Sequence, residues 1–177
     1  KIDMKTDFEN FESHSLEPTA VDELIKEIEK ATSILVLGDN CGEIVFDKLL
    51  LETIKKRFPD KKYYYAVRGG PTINDITIDD AIYIGMDKIV EVVKASQSPG
   101  IIYEECSLEF QKAFDSADVI ISKGQGNFES LVDYELKNSK QNLFFLLKLK
   151  CKLMEVIFRK PLGTYMLINQ KNVSLPF

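Results

Sequence analysis

Three oxygen-bearing side chains stand in the loops that follow two short apolar segments of this chain. Asp39 and Asn40 come just after the run 33–37, and Asp75 lies in the loop after the run 63–67. Carboxylate and amide oxygens suit Mg²⁺ or Mn²⁺, which keep waters and phosphate oxygens in the rest of their shell. Asp and Asn are also common in turns and helix caps, so an ordinary turn is the alternative. The second aspartate, at the matching place after the next segment, favours the metal site.

Two further loops place a cation beside glycines. Lys123 precedes Gly-Gln-Gly at 124–126, and Arg68 precedes a glycine pair. Backbone N–H groups in such a loop can approach an anion at the start of a helix, and an arginine can donate to a phosphate. The loop at 124–126 is neither a Walker loop nor a full dinucleotide fingerprint, because Glu129 stands at the third glycine position. A plain turn, with both cations at the surface, is the alternative.

Composition excludes several other chemistries. The chain has 177 residues, a net charge of -5, one histidine and three cysteines. The lone histidine, His14, leaves no material for imidazole-based triads or histidine metal sites. Cys41 could be a nucleophile, but it has no base nearby in sequence and is better interpreted as a small turn residue. The acidic balance and the short apolar runs predict a soluble, cytoplasmic protein with neither nucleic acid nor membrane partners.

Alternating apolar runs and helical patterns position these loops. The sequence predicts an α/β fold with a doubly wound, mostly parallel sheet, Rossmann-like and three-layered. Residues 1–18 are expected to form an extended lead-in, and residues 19–177 a single domain. The predicted strands are 33–38, 63–68, 88–93, 118–123 and 143–147, and the predicted helices are 20–31, 43–58, 78–84, 107–114 and 128–136, with a weaker helix and strand after them. Phe46 and Leu49 are expected on the apolar side of the second helix. Ligands of such sheets bind beyond the carboxyl ends of the strands, where the three loops are expected to meet.

Three ordered motifs resemble one known family. They are Gly-Asp-Asn-x-Gly-Glu-Ile-Val-Phe-Asp at 38–47, Val-Arg-Gly-Gly-Pro-x-x-Asn-Asp at 67–75, and Ala-Asp-x-Ile-Ile-x-Lys-Gly-Gln-Gly-Asn-x-Glu at 117–129. The stretch from about 1 to 164 resembles the metal-dependent damage-control phosphatases, catalogued as domain of unknown function 89, and most of all their stand-alone prokaryotic-type branch. Members usually carry an N-terminal helical region, of which this sequence shows nothing.

The resemblance implies a metal-dependent phosphomonoesterase. Its substrates would be small phosphorylated metabolites, including sugar phosphates and damaged nucleotide or cofactor phosphates. Asp39, Asn40 and Asp75 would hold the catalytic divalent metal, Mg²⁺ or Mn²⁺, with Co²⁺ and Ni²⁺ as further candidates. The resemblance also implies a set of side chains that line the phosphate pocket: Glu43, Arg68, Asn74, Lys123 and Asn127.

The hypothesis for the reaction is in-line attack of water on a metal-clamped phosphoryl group, with Lys123 and Arg68 neutralising developing charge. A covalent route through Asp39 is the competing one; direct attack is favoured because Cys41 replaces the second aspartate of an Asp-x-Asp pair. Two other classes stay open. An S-adenosylmethionine-dependent methyltransferase could use the first glycine loop, although Asp39 puts a carboxylate there. A non-catalytic phosphometabolite-binding module would keep the pocket without turnover.

Overall fold

The computed structural model describes residues 16–175. The helices are α1 (Pro18–Lys30), α2 (Ile44–Arg57), α3 (Ile78–Tyr83), α4 (Leu108–Ser116), α5 (Gln125–Leu131) and α6 (Lys152–Phe158). The strands are β1 (Ser33–Leu37), β2 (Lys62–Val67), β3 (Glu91–Lys94), β4 (Val119–Lys123), β5 (Asn142–Lys148) and β6 (Tyr165–Asn169). No helix within residues 16–175 is long and apolar enough to cross a bilayer.

The six strands form one sheet in the order β3-β2-β1-β4-β5-β6. All neighbours pair in parallel except β5 and β6, which are antiparallel. The predicted mostly parallel α/β fold is confirmed. Because the strand order reverses between β1 and β4, a crevice opens at their carboxyl ends, which is where open α/β sheets bind ligands.

The central strands are buried on both faces. Every residue of β1 and β4 is buried. Alternate side chains enter two different cores: Leu35 and Leu37 pack on one side of the sheet, while Ile34 and Val36 pack on the other. Successive side chains of a strand point to opposite faces, so a continuous apolar run needs a helical layer on each side. This packing produces the three layers and fixes the strand ends that carry the site loops.

Local turns move the starts of three elements by two or three residues from their predicted positions, and the helix predicted at 128–136 ends at Leu131. α1 begins at Pro18, with proline in its first turn, rather than after a Thr19 cap. β3 begins at Glu91 instead of residue 88, because Met86–Lys88 form a 3-10 turn entered through Gly85 at a φ of 70°. α5 begins at Gln125 instead of residue 128, because Gly124 completes the strand-to-helix turn alone. Most of the predicted lead-in lies outside the described residues.

The predicted inward face of α2 is wrong. Phe46 is 71% exposed and Leu49 is 60% exposed, so neither side chain belongs to the core. The buried residues are Ile44, Asp47 and Leu51, which share one stripe of the helix. A charged residue therefore occupies a core position, which a pattern based on apolar residues cannot predict.

Candidate active site

The loops after β1 and β2 are joined by backbone hydrogen bonds. Asn40 and Asp75 form an isolated antiparallel bridge. Cys41 N donates to Asn74 O over 2.8 Å, and Ile76 N donates to Asp39 O over 2.9 Å. The structure thus brings Asp39, Asn40 and Asp75 together at the carboxyl edge of two adjacent parallel strands.

The amide of Asn40 has a defined orientation in this cluster. Its Nδ2 donates to Asp39 Oδ2 over 2.8 Å and to Glu43 Oε1 over 2.9 Å. Its Oδ1 accepts from Asn74 Nδ2 over 2.7 Å. The two carboxylates hold the NH₂ group, so the amide oxygen is turned toward the Asn74 side, where it can serve as a ligand.

The cluster carries an excess of negative charge. Burial and, after it, the neighbouring Glu43 and Asp75 carboxylates raise the pKa of Asp39 to about 6, against the opposing charges of Lys150 and Arg68. Carboxylates held together in this way favour a bound cation. Within residues 16–175, no group of three or more His, Cys, Asp and Glu side chains is placed to hold a metal ion. The cluster has two aspartates, and its third donor is an amide; this all-oxygen set fits Mg²⁺ or Mn²⁺ that keeps several waters.

Arg68 and Asn127 tie the strand ends together. Arg68 Nε donates to Asp75 Oδ2 over 2.6 Å, Nη2 donates to Asn127 Oδ1 over 2.8 Å, and Nη1 donates to Gly100 O. Asn127 Nδ2 in turn donates to Gly38 O over 3.1 Å and to Lys123 O over 2.8 Å. Both side chains are buried. That they line a phosphate pocket stays a prediction, and their contacts favour a role in holding Asp75 and the ends of β1 and β4.

Lys123 lies between two carboxylates. Its Nζ donates to Glu43 Oε2 over 2.7 Å and to Asp47 Oδ1 over 2.5 Å. Burial acts to lower the pKa of Lys123, but the Asp47 and Glu43 carboxylates outweigh burial and raise it. The ammonium is therefore charged, and two of its three N–H donors are used within the protein.

Gly124 leaves room for the carboxylate of Asp39. A Cβ at this position would lie 2.1 Å from Asp39 Oδ2 and 2.6 Å from Oδ1, and the φ of Gly124 is +81°. A side chain would both clash with Asp39 and strain the backbone. The first glycine of the Gly-Gln-Gly loop is thus required by the aspartate across the crevice.

Comparison with known proteins assigns the chain to a family. Residues 3–165 match the family model described as the damage-control phosphatase ARMT1-like domain. The chain belongs to this family. The resemblance to the damage-control phosphatases noted from the three sequence motifs is confirmed.

Two proteins named damage-control phosphatases and one uncharacterized protein are similar to this chain. It is 50% identical over 120 residues to an uncharacterized protein of Methanocaldococcus jannaschii, covering 67% of this chain and 38% of that protein. It is 39% identical over 150 residues to a damage-control phosphatase of Pyrococcus horikoshii, covering 84% of this chain and 50% of the relative. It is 41% identical over 132 residues to a damage-control phosphatase of Archaeoglobus fulgidus, covering 73% of this chain and 43% of the relative.

A solved structure of the family has the same fold. The crystal structure of a DUF89 family protein from Pyrococcus horikoshii superimposes with a TM-score of 0.76 at 37% identity, covering 84% of this chain and 51% of that one. The chain spans half or less of the length of the three curated relatives, at 38%, 50% and 43%.

Sequence reasoning did not assign a role to two side chains beside this site. Asp47 contacts Lys123 from inside α2, and the signal that could have found it is its place as the last residue of the motif at 38–47. Lys150 follows β5, and its charge lowers the pKa of both Asp39 and Glu43. Because β5 is parallel to β4 and adjacent to it, residues just beyond its end belong to the same edge of the sheet.

The thiol of Cys41 does not resemble an activated nucleophile. Cys41 is exposed in the loop after β1. A hydrogen bond with Asp80 raises its pKa, so the thiolate is disfavoured. This environment favours the interpretation of Cys41 as a turn residue.

Proposed function

We propose that this chain hydrolyses small phosphorylated metabolites, such as sugar phosphates and damaged nucleotide or cofactor phosphates, by in-line attack of water. A divalent cation, Mg²⁺ or Mn²⁺, would be held by Asp39, Asn40 and Asp75. Two relatives named damage-control phosphatases support a phosphatase role. The metal, the substrate class and the water route are our own inference.

The observation that carries the proposal is the bridge between Asn40 and Asp75. These two residues lie 35 positions apart in the sequence, and the bridge joins their loops into one acidic cluster. The raised pKa of Asp39, about 6, supports a site whose charge is balanced only when a cation is present. Its place beyond the carboxyl ends of β1 and β2, beside the switch point, suits a small ligand.

The bound cation would supply Lewis-acid charge to the phosphoryl oxygens. The chain's own residues would orient the substrate around it. Lys123 is held by Glu43 and Asp47 and keeps one N–H for a phosphate oxygen. Lys150 is exposed and would donate to the phosphate as a second cation. Arg68 acts through Asp75, whose Oδ2 it holds.

The experiment that tests the proposal measures phosphate release from sugar and nucleotide monophosphates. Release is expected with Mn²⁺, is lost in EDTA and returns when Mn²⁺ is restored. Asp75→Asn is expected to lose this activity, whereas Asp79→Asn, which changes an exposed aspartate of α3, keeps it. Activity undiminished by EDTA would contradict metal dependence. Binding of Mn²⁺ without release from any ester would instead support a non-catalytic binding module.

A further inference from the structure

Asp47 is a carboxylate inside the domain. It is 2% exposed and lies on the buried stripe of α2 between Ile44 and Leu51. Its Oδ1 accepts from Lys123 Nζ over 2.5 Å, and its Oδ2 accepts from the hydroxyl of Tyr65 over 2.7 Å. Tyr65 is fully buried in β2. Both oxygens of the carboxylate are therefore engaged by side chains from two different strands.

A buried ion pair is a costly way to fill this position. Desolvation of a carboxylate and an ammonium often offsets their attraction, and an apolar side chain of similar volume commonly stabilises as well or better. The neighbours of Asp47 on its stripe, Ile44 and Leu51, are such side chains. Helix packing alone therefore does not account for an aspartate at this position.

Those partners lead to the candidate metal cluster. Lys123 Nζ, fixed by Asp47, also donates to Glu43 Oε2 over 2.7 Å. The other oxygen of Glu43 accepts from Asn40 Nδ2 over 2.9 Å. A continuous series of hydrogen bonds thus runs from the Tyr65 hydroxyl to the amide of Asn40. The position of Nδ2 decides which way the amide oxygen of Asn40 points.

We propose that Asp47 and Tyr65 are positioning residues of this site. Tyr65 fixes the carboxylate of Asp47, Asp47 fixes the ammonium of Lys123, and Lys123 holds Glu43 against Asn40, so that the amide oxygen faces the cation. The inference rests on the proposed function. In the absence of the Tyr65 hydroxyl, Asp47 Oδ2 loses its donor, and the carboxylate and Lys123 gain alternative positions.

The same strand offers a matched control. Tyr63 belongs to β2 and to the same core cluster as Tyr65, and its hydroxyl donates to Phe58 O over 2.6 Å. Tyr65→Phe and Tyr63→Phe each delete one tyrosine hydroxyl bond. Only the first bond belongs to the series that reaches Asn40. Tyr63→Phe is expected to lower the melting temperature by roughly 2 to 4 °C, and Tyr65→Phe by more, because it leaves an oxygen of a buried carboxylate without its donor.

The test compares wild type, Tyr65→Phe and Tyr63→Phe by Mn²⁺ titration with electron paramagnetic resonance, by steady-state kinetics, and by NMR of the metal-free protein. The ¹⁵N signal of the Lys123 ammonium is assigned from its loss in Lys123→Arg. Tyr65→Phe is expected to shift this signal, and to weaken Mn²⁺ binding by roughly 3- to 10-fold, below the effect of a direct outer-shell partner. Its kcat is expected to fall at saturating Mn²⁺, while Tyr63→Phe matches wild type in all three measurements.

The outcomes separate this inference from the proposed function. An unchanged Lys123 signal in Tyr65→Phe, or Mn²⁺ binding and kcat equal to those of Tyr63→Phe, would overturn the positioning role while leaving the phosphatase proposal in place. A wild-type chain that neither binds Mn²⁺ nor releases phosphate would overturn the proposed function, and the positioning role of Asp47 and Tyr65 with it, even if the Lys123 signal shifts.

Discussion

Arg68 Nε donates to Asp75 Oδ2 over 2.6 Å, from a side chain that is only 3% exposed. This bond occupies one oxygen of Asp75 and leaves Oδ1 as the oxygen that can face Asn40 and Asp39. The same guanidinium donates to Asn127 and to the backbone of Gly100. Arg68 thus sets the geometry of the cluster from inside the domain.

Replacement of Arg68 by lysine tests this arrangement. Arg68→Lys keeps the charge but cannot reach Asp75, Asn127 and Gly100 together, so about 2 to 3 kcal/mol of unfolding free energy should be lost, measured by urea denaturation. Arg57→Lys is the control, because Arg57 forms an exposed pair with Glu29; its effect should stay within about 0.5 kcal/mol. Equal effects of the two variants would contradict a positioning role for Arg68.

Gly124→Ala should disrupt the site more than the addition of one methyl group suggests. The new methyl group would overlap the Asp39 carboxylate and impose an unfavourable φ, so Mn²⁺ affinity, measured by calorimetry, should fall at least about 10-fold. Gly126→Ala lies two residues further on, where the nearest atom to a new Cβ is Gly100 N at 3.7 Å. That control should bind Mn²⁺ like wild type. Normal binding by Gly124→Ala would show that Asp39 is not a ligand.

The raised pKa of Asp39 predicts a pH dependence of the metal-free protein. Between about pH 4 and 6 the unfolded chain has released the Asp39 proton while the folded chain retains it, since the folded pKa is about 6 against 3.8. The free energy of unfolding therefore decreases as pH rises through this window. Urea denaturation at pH 4.5 and 6.5 should show a larger decrease for wild type than for Asp39→Asn. Identical decreases would contradict the assignment.

Lys150→Met should weaken substrate binding with little effect on folding. Removing an exposed cation beside the acidic cluster should raise KM for a phosphate ester by about two- to tenfold, and leave the urea midpoint nearly unchanged. Lys152→Met removes another exposed lysine, one that pairs with Glu155. The steady-state KM of this control should equal that of wild type. If the KM of Lys150→Met equals that of wild type, Lys150 does not contact the phosphate.

The sheet was predictable because its signals are local. The strands β1 and β4 contain the continuous apolar runs 34–37 and 119–121, as expected for strands covered on both faces, and the site loops follow the strand ends directly. Their meeting at one edge follows from parallel pairing. The sequence alone therefore indicates that Asp39, Asn40 and Asp75 lie at the same edge of the sheet.

The buried polar network was not predictable because its partners are distant in sequence. Arg68 and Lys123 follow or end strands and resemble surface charges, yet Arg68 bonds to Asn127, 59 positions away, and Lys123 bonds to Asp47, 76 positions away. Nothing in the local pattern around Asp47 indicates a buried carboxylate. The face of α2 was mistaken for the same reason, since the ion pair places Asp47 inward and leaves Phe46 exposed.

The most direct measurement is a crystal structure of the chain grown with Mn²⁺, using anomalous diffraction at the manganese edge. The account predicts one strong anomalous peak within about 2.5 Å of oxygens from Asp39, Asn40 and Asp75, with waters completing the shell. An absent peak there at saturating Mn²⁺, or a peak bound elsewhere while these three side chains keep their present hydrogen bonds, would contradict it.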